Sequence, residues 1–178
     1  GGAFNPPHLA HVAGVDTALA TPKVDSVWLM PCHEHAFAKA MVAFSTRVTM
    51  CRAMLAAFDS NRVGITEIEA TLPGPNRTID TMAALESLHP EHRFRLIVGT
   101  DIFREQEQWK DFDVLQQRYP FVVLGRPGFE APHGVACSPP LPDVSSTEIR
   151  RRVREGLSVA TLVPNAVAAI IENKELYR

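Results

Sequence analysis

The feature that most constrains the fold is a regular alternation of short apolar runs with amphipathic segments. Four runs predict β-strands: VDSVWLMP (24–31), RVGITEIEA (62–70), RFRLIVG (93–99) and PFVVLGR (120–126). Several are nearly continuous in apolar residues, which is typical of strands covered on both faces. Alternation of such strands with helices predicts an α/β domain that is doubly wound around a mainly parallel sheet.

The segments between these runs predict amphipathic helices. In STRVTMCRAMLAAF (45–58), apolar side chains recur on one helical face and Ser45 is a candidate N-cap. In TIDTMAALESL (78–88), apolar residues also repeat at helical spacing, and Pro90 stops the run.

The end of the chain is predicted to hold two more helices. Ser145 and Glu148 form a capping-box pattern, and Gly156 follows TEIRRRVRE where a helix terminator is expected. Pro164 then begins a last helix, since proline fits the first helical position. The RRRVRE run is interpreted as a solvated helix face.

Length and charge limit the class of protein. The 178 residues fit a single domain, 1–178, with a sizeable core. With 18 basic and 20 acidic residues the net charge is −2, which argues against a nucleic-acid partner. No apolar run approaches the ~18 residues of a membrane span, and no secretory signal pattern opens the chain. Three widely spaced cysteines fit a reducing, cytoplasmic location.

The opening stretch GGAFNPPHLAH (1–11) predicts an anion site. Without a Cβ at Gly1 and Gly2, the backbone can approach a ligand closely, and a helix that begins near His8 would point free N–H groups at the same space. His8 and His11 would share one helical face there. The alternative is a simple turn with ordinary surface histidines. A zinc pair is less favoured, because the spacing is not His-Glu-x-x-His.

A second anion site is predicted at DVSSTEIRRR (143–152). Ser145, Ser146 and Thr147 offer hydroxyl and N–H groups at a helix start. Arg150 lies one turn further on and can reach the same anion. A capped surface helix with no ligand is the alternative.

These two stretches carry a family resemblance. GGAFNPPHLAH resembles the Gly-Thr-Phe-Asp-Pro-x-His-x-Gly-His signature of the adenylyltransferase-type nucleotidyltransferases, and VSSTEIR is similar to their Ile-Ser-Ser-Thr-x-Ile-Arg signature. Within that superfamily the chain resembles the bacterial nicotinate (nicotinamide) mononucleotide adenylyltransferases. The similar segments are NRTIDTM, VGTDIFREQEQWKDFDVL, VVLGRPGF and the ending GLSVATLVPNAVAAIIENKELYR.

The resemblance implies a single Rossmann-like nucleotidyltransferase domain that transfers the adenylyl group of ATP to nicotinate or nicotinamide mononucleotide. It implies Mg²⁺ bridging the phosphates, and it leaves open whether the chain forms a homo-oligomer. His8 and His11 would be catalytic. The expected ATP-binding residues are Gly2, Ala3, Phe4, His8, His11, Ser145, Ser146, Thr147 and Arg150. The expected mononucleotide-binding residues are Thr78, Gly99, Asp101, Trp109, Arg126 and Lys39.

Two of these expectations have structural alternatives. Trp109 offers a flat face on which a pyridine ring can stack, but a tryptophan after a polar run is also typical of partial core. CHEH (32–35) carries ligand-type side chains, yet it lacks a second ligand pair, so no metal ligands are predicted. Asp101, just past a strand, is expected to accept hydrogen bonds from ribose hydroxyls.

The chain departs from the family pattern at Ala3, at Ala10 and in MPCHEHAFAKAMVAFSTR (30–47). Ala3 replaces a threonine and Ala10 replaces a glycine, and the altered segment bears on the choice of acceptor. The family also places its first strand before the Gly-Gly turn, so a strand is expected upstream of Gly1.

Two rival functions remain at this point. One is a related transferase with another acceptor, such as phosphopantetheine, or an alcohol phosphate with CTP. The other is a non-catalytic nucleotide sensor, since a fold does not fix a function.

Overall fold

Four parallel strands form within the four predicted runs. The structure is a computed structural model that describes residues 1–34 and 41–178. The strands are β1 (Val27–Leu29), β2 (Val63–Ile65), β3 (Leu96–Gly99) and β4 (Phe121–Leu124). β1 pairs with β2 and β3 pairs with β4, both in parallel, which confirms the predicted parallel character.

The described residues also form seven α-helices. They are α1 (Leu9–Leu19), α2 (Phe44–Leu55), α3 (Thr78–Leu88), α4 (Ile102–Glu105), α5 (Phe112–Arg118), α6 (Ser146–Arg154) and α7 (Asn165–Asn173). Short 3₁₀ turns cover Ile68–Ala70 and Gln106–Gln108. α3 has the predicted bounds, and α6 ends before Gly156, which has the left-handed φ of +69° expected of a terminator.

Two predicted helix starts are wrong by one or two residues. Ser45 lies inside the first turn of α2, because the carbonyl of Ala43 already accepts the N–H groups of Thr46 and Arg47 and makes Ala43 the N-cap. Pro164 is itself an N-cap, with an extended ψ of 145°, and α7 begins at Asn165.

Alternate residues of a strand are buried on opposite faces of the sheet, as a doubly wound fold with helices on both faces requires. In β4, Val122 and Leu124 belong to a core cluster with α1, α2, α6 and α7, whereas Val123 belongs to a second cluster with α3 and α5. This alternation follows from the two-residue period of a strand. Helices therefore cover both faces.

The two strand pairs do not join each other. A cavity of about 690 Å³ lies between them, lined by β1 residues such as Val27 and Trp28 and by Leu96 and Ile97 of β3. Gly2 extends the ladder into this region, because its N–H donates to the carbonyl of Met30 (3.1 Å) and its carbonyl accepts from the N–H of Cys32 (2.9 Å). The space is therefore bounded by the facing edges of β1 and β3 and by the loop residues that precede each of them, 23–26 and 91–95.

Among the described residues, no helix combines the length and the apolar character that crossing a membrane would require.

Candidate active site

The N-terminal loop, residues 2–8, starts at the carboxyl end of β1. Gly2 forms a parallel bridge with Pro31, just after that strand. Phe4 has a left-handed φ of 46°, which is strained for a side chain other than glycine, and it is buried with its ring centroid 4.8 Å from that of His11. His8 is the N-cap of α1. The loop is thus held closely packed at the start of a helix, as an anion site requires.

His8 and His11 stack on one another, with ring centroids 3.8 Å apart. The backbone N–H of His8 donates to Nδ1 of His11 at 3.1 Å. Because Nδ1 of His11 is an acceptor, its proton resides on Nε2, which is then free to donate. His8 is only 6% exposed, and its Nδ1 has no hydrogen-bond partner among the described residues.

Burial keeps both imidazoles neutral near pH 7. Desolvation, helped by the positive charge of Arg126, lowers the pKa of His8 to about 4. Desolvation also lowers the pKa of His11 well below its ordinary value, with further contributions from His8 and Arg126. Two uncharged N–H donors in a low-dielectric site, one of them without a partner, suit the oxygens of a phosphate chain.

The second predicted motif lies directly against this loop. The hydroxyl of Ser146, at the start of α6, donates to the carbonyl of Pro6 at 2.8 Å, and Arg150 donates from its guanidinium to the carbonyl of Asn5 at 2.8 Å. A second Arg150 nitrogen donates to the hydroxyl of Thr147 at 3.2 Å. The structure therefore brings together two motifs that are far apart in the sequence.

The predicted capping box on α6 forms only in part. The side chain of Ser145 accepts from the backbone N–H of Glu148 at 3.2 Å, as predicted. The carboxylate of Glu148 does not reach back to Ser145, because it pairs with Arg151 at 2.7 Å and with Arg152 at 3.1 Å. Local charge pairing decides the carboxylate's position.

A cavity of about 310 Å³ opens beside the histidine pair. Its lining includes five of the predicted site residues: Phe4, His8, His11, Gly99 and Arg126. The Ala10 side of α1 and Asp143 also border it.

The far side of the cavity is built from the ends of β3 and β4. Arg126 pairs with Asp101 at 3.4 Å, and its backbone N–H donates to the hydroxyl of Thr100 at 3.0 Å. A Cβ at Gly99 would lie 2.3 Å from a carboxylate oxygen of Asp101 and 2.6 Å from the Arg126 side chain. Only glycine permits this approach, so Gly99 allows the Asp101–Arg126 pair to form.

Among the described residues, nine of the predicted site residues do not line this cavity: Gly2, Ala3, Thr78, Asp101, Trp109, Ser145, Ser146, Thr147 and Arg150. Thr78 is the first residue of α3, and Trp109 is half-buried at the end of the 3₁₀ turn, packed against the second core cluster. Lys39 lies outside the described residues, as does the last histidine of CHEH (32–35).

Sequence reasoning missed two residues that hold the N-terminal loop. Arg47 of α2 is 1% exposed and donates to the carbonyls of Ala3 (2.9 Å), Val42 (3.1 Å) and His33 (3.3 Å). Tyr177 donates from its hydroxyl to the side-chain oxygen of Asn5 at 3.0 Å. A charged residue beside the apolar stripe of α2 was the only sequence signal for Arg47, and none marked Tyr177.

The parallel α/β fold, the packed N-terminal loop and the α6 contact define a class, the nucleotidyltransferases. The profile of the cytidylyltransferase-like family matches residues 1–152. More narrowly, the chain belongs to the nicotinate-nucleotide adenylyltransferase family. A protein of Anaeromyxobacter sp. (strain K) named "Probable nicotinate-nucleotide adenylyltransferase" is 43% identical over 100% of this chain and 94% of its own length. One of Myxococcus xanthus with the same name is 40% identical over 99% and 92%.

Solved structures share the fold. Plasmodium falciparum nicotinic acid mononucleotide adenylyltransferase complexed with NaAD superposes with a TM-score of 0.84 at 19% identity, covering 99% of this chain and 94% of that one. A putative nicotinate-nucleotide adenylyltransferase from Vibrio parahaemolyticus gives a TM-score of 0.73 at 20% identity, covering 97% and 96%. The predicted Rossmann-like nucleotidyltransferase fold is confirmed.

Proposed function

We propose that this protein transfers the adenylyl group of ATP to nicotinate mononucleotide, or to its nicotinamide counterpart, in NAD biosynthesis. The products are deamido-NAD or NAD, with pyrophosphate. Relatives at about 40% identity along the full chain carry the name of this activity. The structural observation that carries the proposal is the buried Nδ1 of His8, which has no hydrogen-bond partner among the residues that the structure describes and lies beside the ring of His11.

The reaction is an in-line displacement at phosphorus. A phosphate oxygen of the mononucleotide forms a bond to the α-phosphorus of ATP. The bond from that phosphorus to the bridging oxygen breaks, and pyrophosphate leaves with the electron pair. Such a transfer depends on positioning and charge stabilisation rather than on a covalent enzyme nucleophile.

His8, His11 and Arg126 supply the stabilisation. The two neutral imidazoles donate hydrogen bonds to phosphate oxygens, and the Arg126 guanidinium adds a positive charge that already acts on both rings. Donors fixed in place before the reaction stabilise developing charge without reorganising. His8 and His11 are therefore the proposed catalytic residues.

ATP is held between the N-terminal loop and the start of α6. Gly2, Ala3 and Phe4 bring the backbone to the nucleotide. On the other side, the N–H groups of Ser146 and Thr147 and the remaining donors of Arg150 face the phosphates. Ser145 fixes this end of α6 by capping it.

The mononucleotide occupies the carboxyl ends of β3 and β4, where open parallel sheets bind ligands. Gly99 permits close approach, Asp101 accepts from ribose hydroxyls, and Arg126 contacts the phosphate. Thr78, at the start of α3, and Trp109, at the end of the 3₁₀ turn, are assigned to the pyridine end. Lys39 is assigned to the same substrate from its sequence position.

The side chains of the cavity fit Mg²⁺ that enters bound to ATP better than a Mg²⁺ ion held by the protein itself. Within the described part of the chain, the cavity's ionisable side chains are those of His8, His11, Arg126 and a single carboxylate, Asp143, and the nearby Asp101 is already paired with Arg126. Mg²⁺ prefers oxygen ligands and commonly keeps phosphate and water oxygens. When bound, it would neutralise phosphate charge.

The proposed partners are ATP and the mononucleotide, with neither nucleic acid nor membrane. Cys32, Cys51 and Cys137 are free thiols, which is consistent with a cytoplasmic location.

Pyrophosphate release tests the proposal against its rivals. The full chain is assayed with ATP, Mg²⁺ and, in turn, nicotinate mononucleotide, nicotinamide mononucleotide and phosphopantetheine, and with CTP and an alcohol phosphate. We expect turnover with a pyridine mononucleotide. Turnover with another acceptor, and none with a pyridine mononucleotide, would show that the protein is a related transferase instead. ATP binding without turnover on any acceptor would indicate a sensor.

A further inference from the structure

We propose that His89, Glu91 and His92 form a binding site for a zinc-type transition-metal dication, separate from the candidate active site. The three residues lie in the turn between the end of α3 at Leu88 and the start of β3 at Leu96. Gly99 and Asp101 lie at the other end of β3. The cluster is therefore on the opposite edge of the sheet from the proposed substrates.

The Glu91 carboxylate lies at close to coordination spacing from both imidazoles. One ligand atom from each residue lies within 4.8 Å of the others. The same Glu91 oxygen is 3.7 Å from Nδ1 of His89 and 3.3 Å from Nε2 of His92. Zinc bonds of about 2.0–2.1 Å in a tetrahedron place neighbouring ligand atoms about 3.3 Å apart. Both separations exceed the ~2.7–2.9 Å of a charge-assisted hydrogen bond.

The donor set selects the class of ion. Two imidazole nitrogens and one carboxylate oxygen suit Zn²⁺, and also Ni²⁺ and Cu²⁺, whereas Mg²⁺ and Ca²⁺ prefer oxygen ligands alone. The side chains of His89 and His92 are 37% and 46% exposed. Water can therefore reach the ion and complete a fourth position.

The imidazoles are held before any ion arrives. Both pack edge-on against Trp28 of β1, with ring centroids 5.0 Å away for His89 and 5.3 Å for His92. The turn is closed by a hydrogen bond from the N–H of His92 to the carbonyl of His89 at 3.0 Å. Preorganised ligands lose less conformational entropy on binding. An ion here would fix the α3–β3 turn against β1, which is a stabilising role.

The first test is zinc binding and its effect on melting. The metal-stripped 178-residue chain is titrated with Zn²⁺ by calorimetry, and its melting temperature is measured with and without the ion. We expect the affinity to fall at least tenfold in His92→Gln and in Glu91→Gln, and the Zn²⁺-dependent rise in Tm to disappear. His133→Gln, which removes an exposed imidazole elsewhere, is expected to leave both unchanged. Wild-type affinity in both cluster variants would overturn the proposal.

A second test locates the ion. The chain has two tryptophans, so a Trp109→Phe background leaves only Trp28 emitting. Stoichiometric Cu²⁺ is expected to quench this emission, and His92→Gln is expected to abolish the quenching at the same concentration. Quenching that persists in the variant would place the ion elsewhere. Neither readout depends on transferase activity, so failure here leaves the proposed function untouched.

Discussion

At the scale of single residues, His8 is distinctive because its imidazole is buried and neutral, and its Nδ1 has no hydrogen-bond partner in the described part of the chain. Its folded pKa of about 4 lies below the ordinary value of 6.5. Between these values the unfolded chain binds a proton that the folded chain does not. Stability must therefore fall as the pH is lowered through this window.

The pH dependence of unfolding tests this account of His8. From pH 6.5 down to pH 4, the free energy of unfolding is expected to drop by up to about 3 kcal/mol through His8 alone. His11 adds a decrease of the same sign. Urea titrations at several pH values should show a shallower slope for His8→Gln. Equal slopes for wild type and variant would contradict the assigned pKa.

The half-buried position of Trp109 is compatible with two roles, a stacking platform for the substrate and a residue of the core. As a stacking platform for the pyridine ring, Trp109→Ala should raise the KM for the mononucleotide about tenfold or more and leave the KM for ATP unchanged. Trp109→Phe, which keeps a ring, should recover most of the loss.

Melting curves of Trp109→Ala test the other role, that of a core residue. A core tryptophan replaced by alanine costs about 3–5 kcal/mol of stability. A strongly destabilised Trp109→Ala with an unchanged mononucleotide KM would show that the residue is core rather than platform.

At the scale of elements, the central contact is between α6 and the N-terminal loop. Arg150→Ala removes the bond to the Asn5 carbonyl and the proposed phosphate contact. ATP affinity should fall by about 1.5–3 kcal/mol, which calorimetric titration measures. Arg154→Ala, at the end of the same helix, is the matched control. Wild-type ATP affinity in Arg150→Ala would make α6 a capped surface helix only.

The elements also show what sequence can predict. Strands and α3 were predictable because apolar periodicity and proline act locally. The two anion motifs were predictable as separate helix starts, but their contact through Ser146 and Pro6 was not, since no local rule relates residues so distant. Arg47 was missed for the same reason, because two of its three backbone acceptors, the carbonyls of Ala3 and His33, belong to other segments of the chain.

At the scale of the whole molecule, the cavity between the strand pairs supports the expectation of a strand upstream of Gly1. Gly2 already pairs in parallel with Pro31 at the end of β1. A strand that reached Gly2 from the cavity would continue this ladder and could pair with β3 on its other side. Such a strand would form the centre of the sheet, and it stays a prediction.

Adding residues tests this prediction. A chain extended upstream of Gly1 by a short run of β-branched apolar residues should melt several degrees higher than the 178-residue chain. An extension of the same length made of glycine and serine is the control. Equal melting temperatures for the two extensions would mean that no strand occupies the cavity.

The most direct test of the central claim is the kcat of His11→Ala for pyrophosphate release with ATP and nicotinate mononucleotide. Because donors to the reacting phosphates act mainly in the transition state, we predict a kcat lower by a factor on the order of 10² or more, with melting near wild type. His133→Ala controls for the loss of an imidazole. A folded His11→Ala variant with wild-type kcat would contradict the proposed site.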